Sequence, residues 1–329
     1  MGSFISKQSG FDPAKDISDL TGKVIVVTGG NSGIGFATVQ YLARQGAKVY
    51  LGARSEQKAK AAIERLHKEG LGPRNGEVVW LNVDLSDPRD AKKAAEEFLT
   101  KEKRLDVLVN NAAILRGPMS ATHDGIEDIM MVNHISPFVF TRTLLPLLTK
   151  TAKEPNSDVR IVNVSSDAMN MVKRGVRFRN IDDFNIECKE SMMPDLARYG
   201  LSKLANALFT KQLQKKLDAD QVPIIVIALH PGSVNTEGLL RDPILVMPII
   251  GPIARLLFSV IFLTPSQGAT APVFAAAAPA VRAQPELYKA AFLQPSAKIG
   301  RPTNPDAQSA ELAKELWDTT EKILEKLEV

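Results

Sequence analysis

The 329-residue chain is predicted to adopt an α/β fold, a doubly wound parallel sheet covered by helices on both faces. Three observations lead there. Short, nearly all-apolar runs such as KVIVVT at 23–28 and VPIIVIAL at 222–229 read as strands buried on both sides. Stretches with helical apolar spacing separate these runs, and regular strand–helix alternation builds parallel pairs. A glycine cluster, TGGNSGIG at 28–35, joins the first strand to the first helix.

The first strand, 23–28, leads into a helix carrying Ile34, Ala37, Val39, Tyr41 and Leu42 on helical spacing and stopped at Gly46. A second strand is expected at 49–52, then a helix at 55–69 with Ser55 as N-cap. Residues 77–83 read as the third strand, 87–103 as a helix and 105–110 (LDVLVN) as the fourth strand. Helices near 125–133 and 137–150 precede a fifth strand at 159–164. A long helix at 199–218 comes before the sixth strand at 222–229. Leu312, Leu316, Ile323, Leu324 and Leu327 share one helical face within 310–329, which predicts a docking helix. The alternation never resets and shows no linker or solenoid repeat. Residues 1–329 therefore read as one domain, with 1–20 as an N-terminal extension and 237–264 as a C-terminal flap.

Composition narrows the function. The chain is 44% hydrophobic and 24% charged, an ordinary globular balance with a net charge of +4. Its basic residues are dispersed except for KRGVRFR at 173–179, which reads as a solvated loop, so no nucleic-acid partner is expected. The single cysteine, Cys188, excludes an internal disulfide and points to a reducing, cytoplasmic setting. Its charged neighbours Glu187, Lys189 and Glu190 suggest a surface loop and not a nucleophile. His67, His123, His134 and His230 lack metal-ligand spacing, so no metal is expected, and His134 reads as ordinary packing. No apolar run opens the chain, so no secretory signal is expected. Two features keep membrane association open. Gly2 followed by Ser6 matches the short N-myristoylation pattern, a motif that also arises by chance. The stretch PILVMPIIGPIARLLFSVIFL at 243–263 is long enough to span a bilayer, but its prolines, Gly251 and Arg255 suit a covering flap or surface-dipping segment better.

Two constellations carry chemistry. Gly29, Gly33 and Gly35 let the backbone turn sharply and approach a pyrophosphate resting on the free N–H groups of a helix start. Glycines also serve plain tight turns, and it is their place between a buried strand and a helix that gives them weight. Tyr199 and Lys203 lie one helical turn apart on one face. Free tyrosine ionises near pH ~10, and a neighbouring ammonium is expected to lower that and make Tyr199 a usable acid or base. An exposed Tyr/Lys pair is the alternative, yet Tyr41, Tyr50 and Tyr288 have no lysine four residues on.

Further landmarks follow in a fixed order. Asp84 sits in NVDLSD, Asn110-Asn111-Ala112-Ala113 follows the fourth strand, and Val132-Asn133-His134 lies on the next helix. Val164-Ser165-Ser166 ends the fifth strand, Tyr199-Gly-Leu-Ser-Lys203 opens the long helix, and HPGSVNT at 230–236 follows the sixth strand. Across roughly residues 20–240 this series resembles the short-chain dehydrogenases/reductases, with Ala113 replacing the last glycine of the family's N-N-A-G. The resemblance implies a Rossmann-type sheet and an oxidoreductase that moves a hydride between a nicotinamide cofactor and a small-molecule carbonyl or alcohol. It implies cofactor contacts from Gly29, Ser32, Gly33, Ile34, Gly35, Arg54, Leu85, Asn111, Ala112, Pro231, Val234 and Thr236, with Asp84 at the adenine. In the catalytic set it implies, Tyr199 supplies the proton, Ser166 orients the substrate oxygen, and Lys203 holds the nicotinamide ribose. Asn133 would hold a water linking Lys203 to solvent, with a helix kink as its structural alternative. Ser165 is the register rival of Ser166.

The end of the second strand bears on cofactor choice. An NAD enzyme wants an acidic residue there for the ribose 2′-hydroxyl, but the chain reads Leu51-Gly52-Ala53-Arg54, and a guanidinium suits a 2′-phosphate. NADP(H) is the expected cofactor. YGLSKLANALFTK at 199–211 and LTPSQGATAPVFAA at 263–276 look like the retinol-dehydrogenase-like branch of the family, which implies an apolar substrate. Two departures bar transfer of a named substrate: Ser166 and Tyr199 stand 33 positions apart, and the apolar flap is long. A ketoreductase acting on a bulky apolar substrate is the leading expectation. A retinol- or steroid-type dehydrogenase at a membrane surface and a non-catalytic NADP(H)-binding sensor are the alternatives. The sensor should have lost one of the four catalytic residues. A homodimer stays open.

Overall fold

A computed structural model of the protein describes residues 10–72, 74–235, 262–302 and 304–329. Gly2, Thr236 and flap residues 237–261 lie outside the described residues. Eight strands form one sheet: β1 (Val24–Thr28), β2 (Lys48–Ala53), β3 (Val78–Asn82), β4 (Val107–Asn110), β5 (Val159–Val164), β6 (Ile224–Leu229), β7 (Phe292–Gln294) and β8 (Lys298–Gly300). Their order is β3-β2-β1-β4-β5-β6-β7-β8, parallel throughout except for the antiparallel β7–β8 pair.

Alternation within β1 explains the two covered faces. Val24 and Val26 point into one core cluster, Ile25 and Val27 into the other, and all are buried. The first cluster lies under α3 (Pro88–Lys101), α4 (Ser136–Ala152), α5 (Pro194–Ala219) and α7 (Ala310–Lys326). The second lies under α1 (Gly33–Arg44), α2 (Glu56–Glu69) and α6 (Thr270–Ala277). Caps set the helix starts: Ser55 accepts from Lys58 N at 3.4 Å, Asp87 from Arg89 N at 2.8 Å, and Ser309 from Leu312 N at 3.0 Å. The expected docking helix is α7. It buries Leu312, Leu316, Ile323 and Leu324, and Trp317 meets Phe138 at 4.7 Å and Phe209 at 5.8 Å between ring centres.

Two expectations need correction, and two strands add to the six read from the sequence. The long helix starts at Pro194 instead of Tyr199, because proline presets the first helical position, so Tyr199 sits in its second turn. The two edge strands β7 and β8 carry three residues each, too few for a periodic signal. Cys188 is in a loop but is buried, only 8% exposed, with Sγ 3.7 Å from the Ile186 carbonyl, and burial pushes its thiol pKa up. Residues 173–179 form a charged loop in which Arg177 pairs with Glu315 and Arg179 with Asp183, while Phe178 is wholly buried. Among the described residues no helix is long and apolar enough to cross a membrane.

Strand order reverses at β1, whose neighbours are β2 and β4. In an open α/β sheet that switch opens a crevice above the carboxyl ends of the strands.

Candidate active site

The glycine loop leaves β1 at Thr28 and enters α1 at Gly33. Gly29 and Gly33 hold φ of +66° and +55°, a region that favours glycine. A Cβ on Gly35 would lie 2.2 Å from the Gly29 carbonyl oxygen, so the turn closes only without a side chain there. Ser32 occupies the N-cap of α1 without a side-chain capping bond, which leaves the helix-start N–H groups for an anion. β4 braces this loop. Asn111 N and Ala112 N donate to Thr28 Oγ1 at 3.0 and 3.1 Å, and Asn111 Nδ2 donates to the Thr28 carbonyl at 2.8 Å. Asn111 thus acts on the loop through its side chain. Thr28 is a site-building residue that motif reading passed over, although it heads the glycine motif.

At the end of β2, Ala53 is buried and its carbonyl accepts from Trp80 Nε1 at 2.9 Å. Arg54 is exposed, with no hydrogen bond or ion pair among the described residues. Asp84 follows β3 with Oδ1 accepting from Ser86 N at 2.9 Å and Ser86 Oγ at 2.7 Å, and Leu85 beside it is buried. Across the crevice Pro231 and Val234 are buried after β6, and Val234 forms a parallel bridge with Leu263. A Cβ on Gly268 would come within 2.5 Å of Val234 and 3.3 Å of Ile34, so the two walls of the crevice meet there. Uncapped N–H groups, a side-chain-free turn and an unpaired guanidinium along one edge fit a phosphate-bearing dinucleotide.

The catalytic candidates converge at the end of β5. Ser165 is fully buried, its N–H donating to the Leu229 carbonyl at 2.7 Å and its Oγ to the Lys203 carbonyl at 2.7 Å. Ser166 is half-buried, caps a short 3-10 turn (Asp167–Met171) by accepting from Ala168 N at 3.1 Å, and its side chain acts on the Tyr199 hydroxyl, drawing that pKa down. The serine facing Tyr199 is therefore Ser166. Gly200 makes this close approach feasible: a Cβ there would stand 2.3 Å from the Ala168 carbonyl oxygen.

Lys203 is 1% exposed, with Nζ donating to the Val164 carbonyl at 2.8 Å and lying 5.4 Å from the Tyr199 ring centre. Burial lowers the Lys203 amine to a pKa of about 7. Burial also pushes Tyr199 up to about 12, against the downward pull of Ser166. The expected lowering of Tyr199 by the ammonium is not found: the downward pull comes from Ser166, and desolvation of the phenolate outweighs it. A neutral phenol is the form that can donate a proton.

Asn133 lies on a π-helical turn (Met131–Ile135) between a short helical turn and α4. Its Nδ2 donates to the Ile114 carbonyl and to Ser202 Oγ, both at 2.9 Å, and its Oδ1 accepts from Ile114 N at 2.7 Å. Asn133 therefore stands in the π turn and ties the loop after β4 to α5 one residue from Lys203. Beside it, His134 is buried among Phe138, Phe184 and Phe209, with Nε2 3.1 Å from Thr320 Oγ1. Thr320 already donates to the Leu316 carbonyl, so the imidazole is neutral and donates from Nε2. Burial lowers its pKa to about 3.

Motif reading also missed a buried polar ladder beneath the site. Asn110 Nδ2 donates to Thr141 Oγ1 and to Asn163 Oδ1, and Asn163 Nδ2 donates to Thr210 Oγ1, each at 2.9 Å. It missed as well the buried pair of Glu127 with Arg198, the residue before Tyr199, at 3.2 Å. Of the residues expected to contact the cofactor or do the chemistry, only Thr236 lies outside the described residues.

Comparison with known proteins accords with this arrangement. Residues 23–176 match the short chain dehydrogenase family. A short-chain dehydrogenase/reductase of Armillaria gallica is 46% identical over 308 residues, covering 94% of each chain. A solved Beutenbergia cavernae protein, assigned as an NAD(P)-dependent gluconate 5-dehydrogenase and carrying NADP, superposes with a TM-score of 0.60 at 26% identity, covering 84% of this chain and 96% of that one. A 3-ketoacyl-(acyl-carrier-protein) reductase of Brucella melitensis, solved with NADH, gives 0.59 at 26% identity over 84% and 97% of the two chains. With its glycine turn, its Ser–Tyr–Lys cluster and these relatives, the chain belongs to the short-chain dehydrogenase/reductase family.

Proposed function

We propose that the protein is an NADP(H)-dependent reductase of ketones or aldehydes, acting on a bulky apolar substrate. The carrying observation is the convergence of Ser166, Tyr199 and Lys203: Ser166 lies near enough to Tyr199 to draw its pKa down, and Lys203 Nζ stands 5.4 Å from the tyrosine ring centre. The dinucleotide would be held by Gly29, Ser32, Gly33, Ile34 and Gly35 at its pyrophosphate. Asp84 and Leu85 would flank its adenine, and Asn111, Ala112, Pro231, Val234 and Thr236 its nicotinamide half. When bound, the nicotinamide supplies the hydride. Ser166 would hold the substrate oxygen and Tyr199 would give it a proton. Lys203 would hold the nicotinamide ribose, and Asn133 fixes the adjoining turn of α5.

Preference for NADP(H) is supported by Ala53 where an acid would repel a 2′-phosphate, and by the exposed Arg54 beside it, unpaired among the described residues. An apolar substrate is supported by the apolar sequence within 239–263, including Leu256, Leu257 and Phe258. All four catalytic candidates are retained, which favours an enzyme over a cofactor-binding sensor.

Screening NADPH consumption against apolar ketones and aldehydes would identify a substrate, after which Tyr199→Phe is decisive. The variant should bind NADPH as before and lose turnover. Near-normal turnover by it would exclude Tyr199 as proton donor.

A further inference from the structure

Arg198 directly precedes Tyr199 and is 4% exposed, and three hydrogen bonds hold its guanidinium. Its Nε donates to Glu127 Oε1 at 3.2 Å, and its Nη2 donates to the Gly117 carbonyl at 2.5 Å and to Asp195 Oδ1 at 3.1 Å. Glu127 is 1% exposed, and its Oε2 accepts from Met130 N at 3.0 Å, capping the short turn that runs into the Asn133 π-turn. Asn185 Oδ1 accepts from Glu127 N at 2.8 Å and Asn185 Nδ2 donates to the Gly125 carbonyl at 2.7 Å, so Glu127 is held at its backbone too. One guanidinium thereby joins three parts of the site: the helix of Tyr199, the turn of Asn133, and the loop that leaves Asn111 and passes Ile114 and Gly117. Asn133 grips that loop at Ile114, and Arg198 grips it three residues on.

We propose that Arg198 and Glu127 are positioning residues, whose buried ion pair sets Tyr199 in register with Asn133 and holds the loop 113–118 over the reacting centre. Stability alone is a weak reason for such a pair. Two buried charges lose their hydration, and well-packed apolar residues of similar volume commonly replace a buried ion pair without loss of stability. An apolar pair, however, could not hold the Gly117 carbonyl or fix the azimuth of α5. Misplacement by about 1 Å away from the chemistry can cost about a hundredfold in rate.

The proposal rests on the reading of Tyr199 as proton donor, and the experiment separates the two. Glu127→Leu/Arg198→Met replaces the pair by apolar residues, and Arg198→Lys keeps the charge without the planar fork. Thermal midpoint, NADPH affinity, amide hydrogen exchange of 113–119, and kcat on the apolar ketone or aldehyde reduced fastest by the unaltered protein are compared. The double variant should keep its midpoint and bind NADPH within about twofold, while exchange at 113–119 rises and kcat falls by about tenfold or more. A purely structural role would let kcat and exchange recover together with the midpoint, and that result overturns the proposal. Should the double variant not fold, Arg198→Lys decides: raised exchange at 113–119 with reduced kcat supports positioning, whereas unaltered values of both refute it. If Tyr199→Phe abolishes turnover while these variants keep it, only the positioning role fails. If Tyr199→Phe keeps turnover, the reading of the site itself fails.

Discussion

Ser165 donates its side-chain hydrogen bond to the backbone carbonyl of Lys203 at 2.7 Å, while the next residue, Ser166, faces Tyr199. Adjacent serines at a strand end point to opposite sides, so the two divide a fastening task and a chemical one. Ser165→Ala should cost about 1 kcal/mol of stability, the worth of a buried hydrogen bond, and leave kcat within a factor of a few. Ser166→Ala removes the cap on the 3-10 turn at a similar cost of about 1 kcal/mol, but should lower kcat by about a hundredfold or more, as loss of one stabilising donor does. Denaturant titration alongside steady-state kinetics checks both, and a larger kcat loss in Ser165→Ala would reverse the assignment.

Cofactor choice is expected to rest on Arg54. A lost charge-assisted hydrogen bond costs about 1.5–3 kcal/mol, so Arg54→Ala should weaken NADPH by roughly ten- to a hundredfold and spare NADH. Fluorescence titration of both cofactors decides it. Equal weakening of the two would remove Arg54 from the 2′-phosphate.

Lys203 exacts a stability cost that depends on pH. Its folded pKa of about 7 lies below the free value of 10.5, so the unfolded chain binds more protons between these limits and stability rises with pH across them. The cost is complete below pH ~7. Lys203→Met should therefore be more stable than the unaltered protein at pH ~6, by on the order of 2 kcal/mol after the lost Val164 bond is counted, with the gap closing towards pH ~10. Urea unfolding at both pH values tests this, and a pH-independent gap would mean that the amine is not depressed.

His134 titrates with the same sense in a lower window. Its pKa falls from 6.5 to about 3, so its contribution is complete above pH 6.5 and is lost as pH drops towards 3. Each unit costs about 1.4 kcal/mol. Between pH ~6.5 and ~5 the unaltered protein should lose about 2 kcal/mol more than His134→Leu does. Parallel pH dependence in the two proteins would contradict a neutral, caged imidazole.

What could be read in advance follows a physical divide. Strands such as β1 and β6 announced themselves because burial on both faces demands unbroken apolar runs, and the Tyr199/Lys203 pair because four residues make one turn. Relations that depend on tertiary burial were hidden. The partners Glu127 and Arg198 are 71 residues apart, and their charges suggest solvent. Cys188 misled for a similar reason, since its charged neighbours turn outward while its own side chain turns in. The direction of the Tyr199 shift was missed because adjacency to an ammonium is visible in sequence and desolvation is not. β7 and β8 were too short to show a period.

The brace between Asn111 and Thr28 spans 83 residues of chain, and β1 meets β4 only across that interval. Closing so long a loop precedes any reward from the contact. The glycine turn can take up its gripping shape only after this distant seam has zipped. During refolding, helical signal should therefore return well before affinity for the dinucleotide, making cofactor capture a clock for the last stage of assembly.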